Sequence, residues 1–187
     1  TISSNTVKDL ITIAFDKFAT DHSGPVNPDE ISDEVKTQLE KIVAGAEYTK
    51  VSITATENLK AEYKAVKDGK EVSIYYLEKA NVFTTVKLYV GIDEDGKIVN
   101  MVTTQSDTLG KGESFNGSSM GLNGATSTTV DDSFVVVSGA TVSSNTVKDL
   151  ITIAFDKFMN DNPDLFPVKT LTVTFDSNGG TLVKEIE

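Results

Sequence analysis

Residues 82–103 read VFTTVKLYVGIDEDGKIVNMVT, and this stretch decides the fold. Val82 to Ile92 and Lys97 to Thr103 are strand-like runs, and Asp95-Gly96 lies between them. Asp-Gly is a strong hairpin signal, because the tight turns that match strand twist need residues tolerant of positive φ. Working outward, Asp68-Gly69 repeats the signal upstream and is followed by Glu71 to Leu77, while Val51-Ser52-Ile53-Thr54 alternates. The span from Thr49 to about Thr104 therefore predicts a mostly antiparallel sheet.

Downstream, residues 105–131 are rich in Gly, Ser and Thr with weak periodicity. Loops of that length in a compact domain are usually functional or disordered. Phe134 to Val137 predicts a short strand running into Ser138-Gly139-Ala140-Thr141 and then a helix. Val147, Leu150, Ile151, Ala154, Phe155 and Phe158 form one helical apolar face, with Ser143 and Ser144 as capping oxygens and Pro163 as the stop. A second helix is expected from Pro28 to about Ala44, capped by Asn27, with Asp29 and Glu30 at its positive end. Its buried stripe is Ile31, Val35, Leu39, Ile42 and Val43. The fold class expected is α+β: a mostly antiparallel sheet with helices packed on one side.

Thr1 to Phe18, TISSNTVKDLITIAFDKF, returns at Thr141 to Phe158 as TVSSNTVKDLITIAFDKF, with 17 of 18 positions identical. An offset of 140 residues exceeds any solenoid period and suits a tandem array of whole domains. Residues 1–20 then read as the tail helix of a preceding unit and 21–168 as the domain itself. In the alternative, the first helix packs into this unit.

Seventeen Lys and Arg against 28 Asp and Glu leave a net charge of −11. That argues against nucleic acid and anionic membranes, which need a basic footprint. The chain has no Cys, and His22 is its only His, in a linker setting. Thiol chemistry, thiolate metal sites and histidine cages are excluded, and a Ser-His-Asp triad is disfavoured. No apolar run approaches the roughly 18 residues of a membrane span. Asp93-Glu94-Asp95-Gly96 lacks the further ligands of a calcium loop and reads as a hairpin turn. Gly124-Ala125-Thr126 has no helical stripe after it and reads as plain loop. Tyr75, Tyr76, Tyr89 and Phe115 read as core. No catalytic residues and no metal ligands are assigned.

Ser138-Gly139-Ala140-Thr141 combines close backbone approach at Gly139, little bulk at Ala140 and a hydroxyl at Thr141, at a helix mouth that favours anions. With Ser143-Ser144 and the helix, it resembles the flavin-attachment segment of FMN-binding domains. These occur in the G subunit of Rnf complexes, the C subunit of the sodium-pumping NADH:quinone oxidoreductase, and tandem surface flavoproteins. Leu88 to Ile98 is similar to that family's central hairpin, and Asp107-Thr108-Leu109-Gly110-Lys111-Gly112 to its E-T-P-G-L-G loop. The resemblance covers roughly residues 47–160.

It implies FMN as cofactor, its phosphate esterified by a flavin transferase to Thr141, beside Thr108, Leu109, Gly110, Lys111 and Gly112. The family's attachment signal carries Asp six residues before the acceptor, where Val135 stands here. Covalent and non-covalent FMN therefore stand as alternatives. The implied role is electron transfer between an unspecified donor and acceptor, a carrier rather than a catalyst with its own substrate. The other reading is a flavin-free structural or adhesion module. Residues 169–187, with Leu171-Thr172-Val173-Thr174-Phe175 leading into Asn178-Gly179-Gly180, resemble the truncated start of an internalin-type B-repeat. That resemblance implies an extracellular, bacterial cell-surface protein with neighbouring repeat units as partners and no membrane insertion in this segment.

Overall fold

The computed structural model describes residues 11–13, 30–104 and 111–166. Most of the first repeat copy, the linker with His22, the helix start at Asn27-Pro28-Asp29, the loop residues Thr108-Leu109-Gly110 and the tail from 169 onward lie outside them.

Five strands form one antiparallel meander in chain order: β1 (Glu47–Val51), β2 (Leu59–Lys67), β3 (Lys70–Ala80), β4 (Thr85–Asp93) and β5 (Ile98–Thr104). The two Asp-Gly turns set the register. Asp68 at φ 52 and Gly69 at φ 76 form a two-residue loop closed by the Lys67–Lys70 pair, the double positive-φ geometry that follows strand twist. At the second turn, Asp93 Oδ1 accepts hydrogen bonds from the backbone N–H of Asp95 (3.1 Å) and Lys97 (2.9 Å). The carboxylate stabilises a hairpin, as expected of that acidic tetrapeptide.

Ahead of the sheet lies helix α1 (Asp33–Ile42). It begins later than Pro28, because Ser32 supplies the N-cap oxygen to the N–H of Val35 and Asp33 and Glu34 occupy the first turn. After the sheet come a 3₁₀ turn (Gly112–Ser114), the short helix α2 (Val130–Ser133) and the long helix α3 (Thr141–Asp161). Asn162 ends α3, its side chain donating to the carbonyl of Phe158, and Pro163 opens a final 3₁₀ turn.

The α+β class and the antiparallel sheet are as expected. The helices, however, divide between the two faces where one-sided packing was anticipated. The reason is the strand period of two. Leu88, Val90 and Ile92 of β4 pack with Leu150, Ile151 and Phe155 of α3, while Tyr89 lies with Leu39 and Ile42 of α1 on the opposite face. Both faces are apolar, so each takes a helix. The α1 face is close-packed at Gly91, where a Cβ would stand 2.5 Å from Cγ2 of Ile42. Tyr75, Tyr89 and Phe115 are buried core residues; Tyr76, half-buried, stacks on Tyr89 with ring centroids 4.4 Å apart.

Two expectations change between β5 and α3. From residue 111 the Gly- and Ser-rich segment is a packed layer, not a bare loop. Phe115, Met120, Leu122 and Val130 are buried in the α3-side core, and Gly124-Ala125 closes onto Ile98 through backbone hydrogen bonds. Residues 134–137 form no strand: Val135 N–H bonds to the carbonyl of Met120, Val137 N–H to Ser144 Oγ, and only Val137 is buried. With the N–H groups of Phe134, Val135 and Val137 taken by a loop and two helices, the segment cannot sustain a sheet ladder.

Candidate functional site

The site grows from the end of the β3–β4 hairpin. Asn81 Oδ1 accepts from the N–H groups of Phe83 (2.8 Å) and Thr84 (2.9 Å), and Asn81 N–H bonds to the carbonyl of Thr84 (2.8 Å). The same side chain donates through Nδ2 to Thr146 Oγ1 at 3.2 Å and to Ser143 Oγ at 3.5 Å. Lys79 meets Asp149 at 2.7 Å one turn further along. This turn thus holds the first two turns of α3 in place. Nothing in the sequence marks Asn81, because its role depends on a contact 65 residues away.

At the mouth, Ala140 N–H closes a turn onto the carbonyl of Val137, with Gly139 at φ 78. That backbone region favours glycine. Thr141 begins the helix behind Ala140, and no side chain caps it. Ser144, expected as a cap, is wholly buried inside the first turn. Its hydroxyl donates to the carbonyl of Ala140 and accepts from Val137 N–H, both at 3.0 Å. The serine ties the approach segment down and leaves the helix mouth uncapped.

Ser138, Gly139 and Thr141 are exposed, Ala140 is half-buried, and no heavy atom outside its chain neighbours lies within 4 Å of where a Cβ on Gly139 would sit. The first turn of α3 carries no acidic residue. Two nearby carboxylates are matched by lysines: Asp131 with Lys148 at 2.8 Å, and Asp149 with Lys79. Lys148 also stands 5.4 Å from the ring centroid of Phe134. In a chain of net charge −11, that local balance keeps the positive end of a 21-residue helix from being cancelled.

The second half of the expected site starts at the same end of the sheet. Ala80 pairs with Thr85, and Lys87 of β4 pairs with Thr104, the last residue of β5. The chain therefore leaves β5 beside the hairpin that anchors α3. Lys111 and Gly112, both half-buried, stand where it returns as the 3₁₀ turn, and Thr103 Oγ1 donates to the carbonyl of Phe115 at 3.1 Å. Val135, in the position of the family's Asp, is exposed, and Asp131 is engaged by Lys148.

A separate open groove of about 770 Å³, lined in part by Ile31, Lys36, Tyr48 and Ser52, lies at the β1 edge and contains none of these residues. Among the described residues, no cluster of acidic or histidine side chains is arranged to hold a metal ion, and no helix is long and apolar enough to cross a membrane.

Residues 83–156 match the family model of the FMN-binding domain. The matched span runs from the anchoring hairpin through β4, β5 and the packed layer into α3, so it contains the helix mouth. It supports FMN as the cofactor and flavin-based electron transfer as the class of function. No curated protein and no solved structure matches the chain. The donor set fits the group: backbone N–H groups at an uncapped helix start, the hydroxyl of Thr141, open space at Gly139 and no carboxylate in the first turn suit a phosphate.

Proposed function

We propose that this chain is an electron-transfer domain that holds FMN by its phosphate at the start of α3, with Thr141 as the anchor. The observation that carries the reading is an exposed Thr at the uncapped mouth of a long helix, inside the segment that matches the FMN-binding domain. FMN, when bound, supplies the one- and two-electron chemistry; the protein supplies position and electrostatics. Backbone N–H groups of the first turn stabilise the phosphate, and Gly139 lets it approach. Ser144 and Asn81 hold the mouth rigid, so that the hydroxyl of Thr141 presents a fixed attachment point. Lys111 and Gly112, with Thr108, Leu109 and Gly110, are proposed to border the flavin from the β5 end.

The wider setting belongs to the same proposal: one unit of a tandem array on a bacterial cell surface, followed by a B-repeat-like module. Its partners would be neighbouring units, a redox donor and acceptor, and a flavin transferase where the linkage is covalent. Co-expression with an FMN transferase and mass spectrometry test the anchor. An FMN adduct on a peptide containing Thr141, absent in Thr141→Ala, is the expected result. A yellow Thr141→Ala protein without adduct would establish non-covalent binding instead. One observation favours a second reading, a flavin-free structural module: exposed Val135 replaces the family's Asp. Colourless protein after co-expression would establish it.

A further inference from the structure

Nine large apolar side chains are exposed among the described residues, and five of them border the mouth of α3: Val82, Phe83, Val135, Val136 and Val142. Val82 and Phe83 are 83% and 77% exposed. They do not sit on a loose tip, because Asn81 closes their turn from both ends and ties it to Ser143 and Thr146. Val135 and Val136 lead directly into Val137, whose N–H is held by Ser144. Val142 follows Thr141 in the helix itself. Three separate segments thus bring apolar surface to one anion-favouring helix start.

A Phe side chain left in water forgoes the stabilisation of burial, and apolar surface gathered at one place on a protein marks a binding site. The ligand that suits an apolar collar around a phosphate position is amphipathic, with an anionic end and a flat apolar end. FMN has this form. Its ribityl chain separates phosphate from ring by more than one helical turn, about 5.4 Å, so a ring tethered at the mouth reaches the collar.

We infer that the isoalloxazine ring of FMN lies on the apolar collar formed by Val82, Phe83, Val135, Val136 and Val142, with Phe83 as its aromatic contact. This rests on the FMN reading above. It also gives Val135 a role: where the family places a carboxylate, this chain extends the apolar surface under the ring.

Tryptophan in contact with a flavin quenches its fluorescence, so Trp substitutions at exposed positions report where the ring lies. Phe83→Trp, Val135→Trp and, as a distant control on β2, Val66→Trp are each co-expressed with an FMN transferase. Fluorescence is measured per bound FMN, counted by absorbance. The expected result is a several-fold loss in Phe83→Trp or Val135→Trp, with Val66→Trp equal to wild type. In the double substitution Phe83→Ser, Val135→Ser, the FMN that is bound is expected to be more accessible to iodide quenching. Equal fluorescence in all three Trp variants that carry FMN overturns the inference and leaves the anchor reading standing; the collar is then a surface for a protein partner. Absence of FMN from the wild-type protein overturns both.

Discussion

Residues 11–13 and 151–153 are the same tripeptide, Ile-Thr-Ile, within stretches identical at 17 of 18 positions, and both are helical. Ile151 is wholly buried against the sheet, whereas its counterpart Ile11 is 51% exposed. Helix formation follows from local sequence and is the same for both tripeptides. Burial belongs to the pair of helix and sheet, and the sheet described here has one α3-type face, already filled by the second copy. The difference separates what an amphipathic helix is from what it does.

The sharpest way to break the comparison is the same substitution at both positions. Ile151→Ala is expected to cost about 2–5 kcal/mol of unfolding free energy, through lost burial and the cavity left behind, and Ile11→Ala no more than about 0.5 kcal/mol. Urea denaturation measures both; equal effects would show that the first copy is buried as well. Gly91→Ala tests the opposite face, where the new methyl meets Ile42. Overpacking there is expected to cost about 1–3 kcal/mol, read from the same urea denaturation.

Alkaline pH probes the two faces together. Burial, then the charges of Tyr63 and Glu34, pushes Tyr89 up to about 12 from an ordinary 10.0. Burial raises Tyr75 beneath α3 too, followed by the charge of Glu62. Each phenol holds its proton more tightly folded than unfolded. Their contribution is whole below pH 10 and is lost as pH rises towards 12. A urea midpoint that falls over this window, and falls less in Tyr89→Phe, is the expected outcome. A small effect is expected of Lys79→Ala. Both partners of its ion pair with Asp149 are substantially exposed, so the loss is about 0.2–1 kcal/mol, diminishing in salt.

Much of the fold was legible because its signals are local. Asp68-Gly69 and Asp95-Gly96 announced the hairpins through their tolerance of positive φ, and the spacing from Val147 to Phe158 announced α3. The failures share one cause. Ser144 was read as a cap from its place before the apolar stripe, but its hydroxyl is used by Val137 and Ala140. Phe134 to Val137 read as a strand because apolar residues cluster there, and the chain instead spends those N–H groups on Met120 and Ser144. Of the candidate site, Ser138 to Thr141 was legible as a helix mouth. Asn81, Val82 and Phe83 were not: the strand expected from Val82 starts only at Thr85, and the turn ahead of it meets a helix far along the chain.

By itself, the sequence determined the antiparallel meander, the amphipathic helices, the repeat and the anion-favouring start of α3, because turn chemistry, periodicity and helix dipoles act over a few residues. Only the tertiary structure decided that the helices take opposite faces of the sheet, that Ile151 is buried where its counterpart Ile11 is exposed, and that a distant hairpin is tied to the first turns of α3. Those outcomes depend on which surfaces meet, and surfaces meet through pairings between residues far apart in the chain.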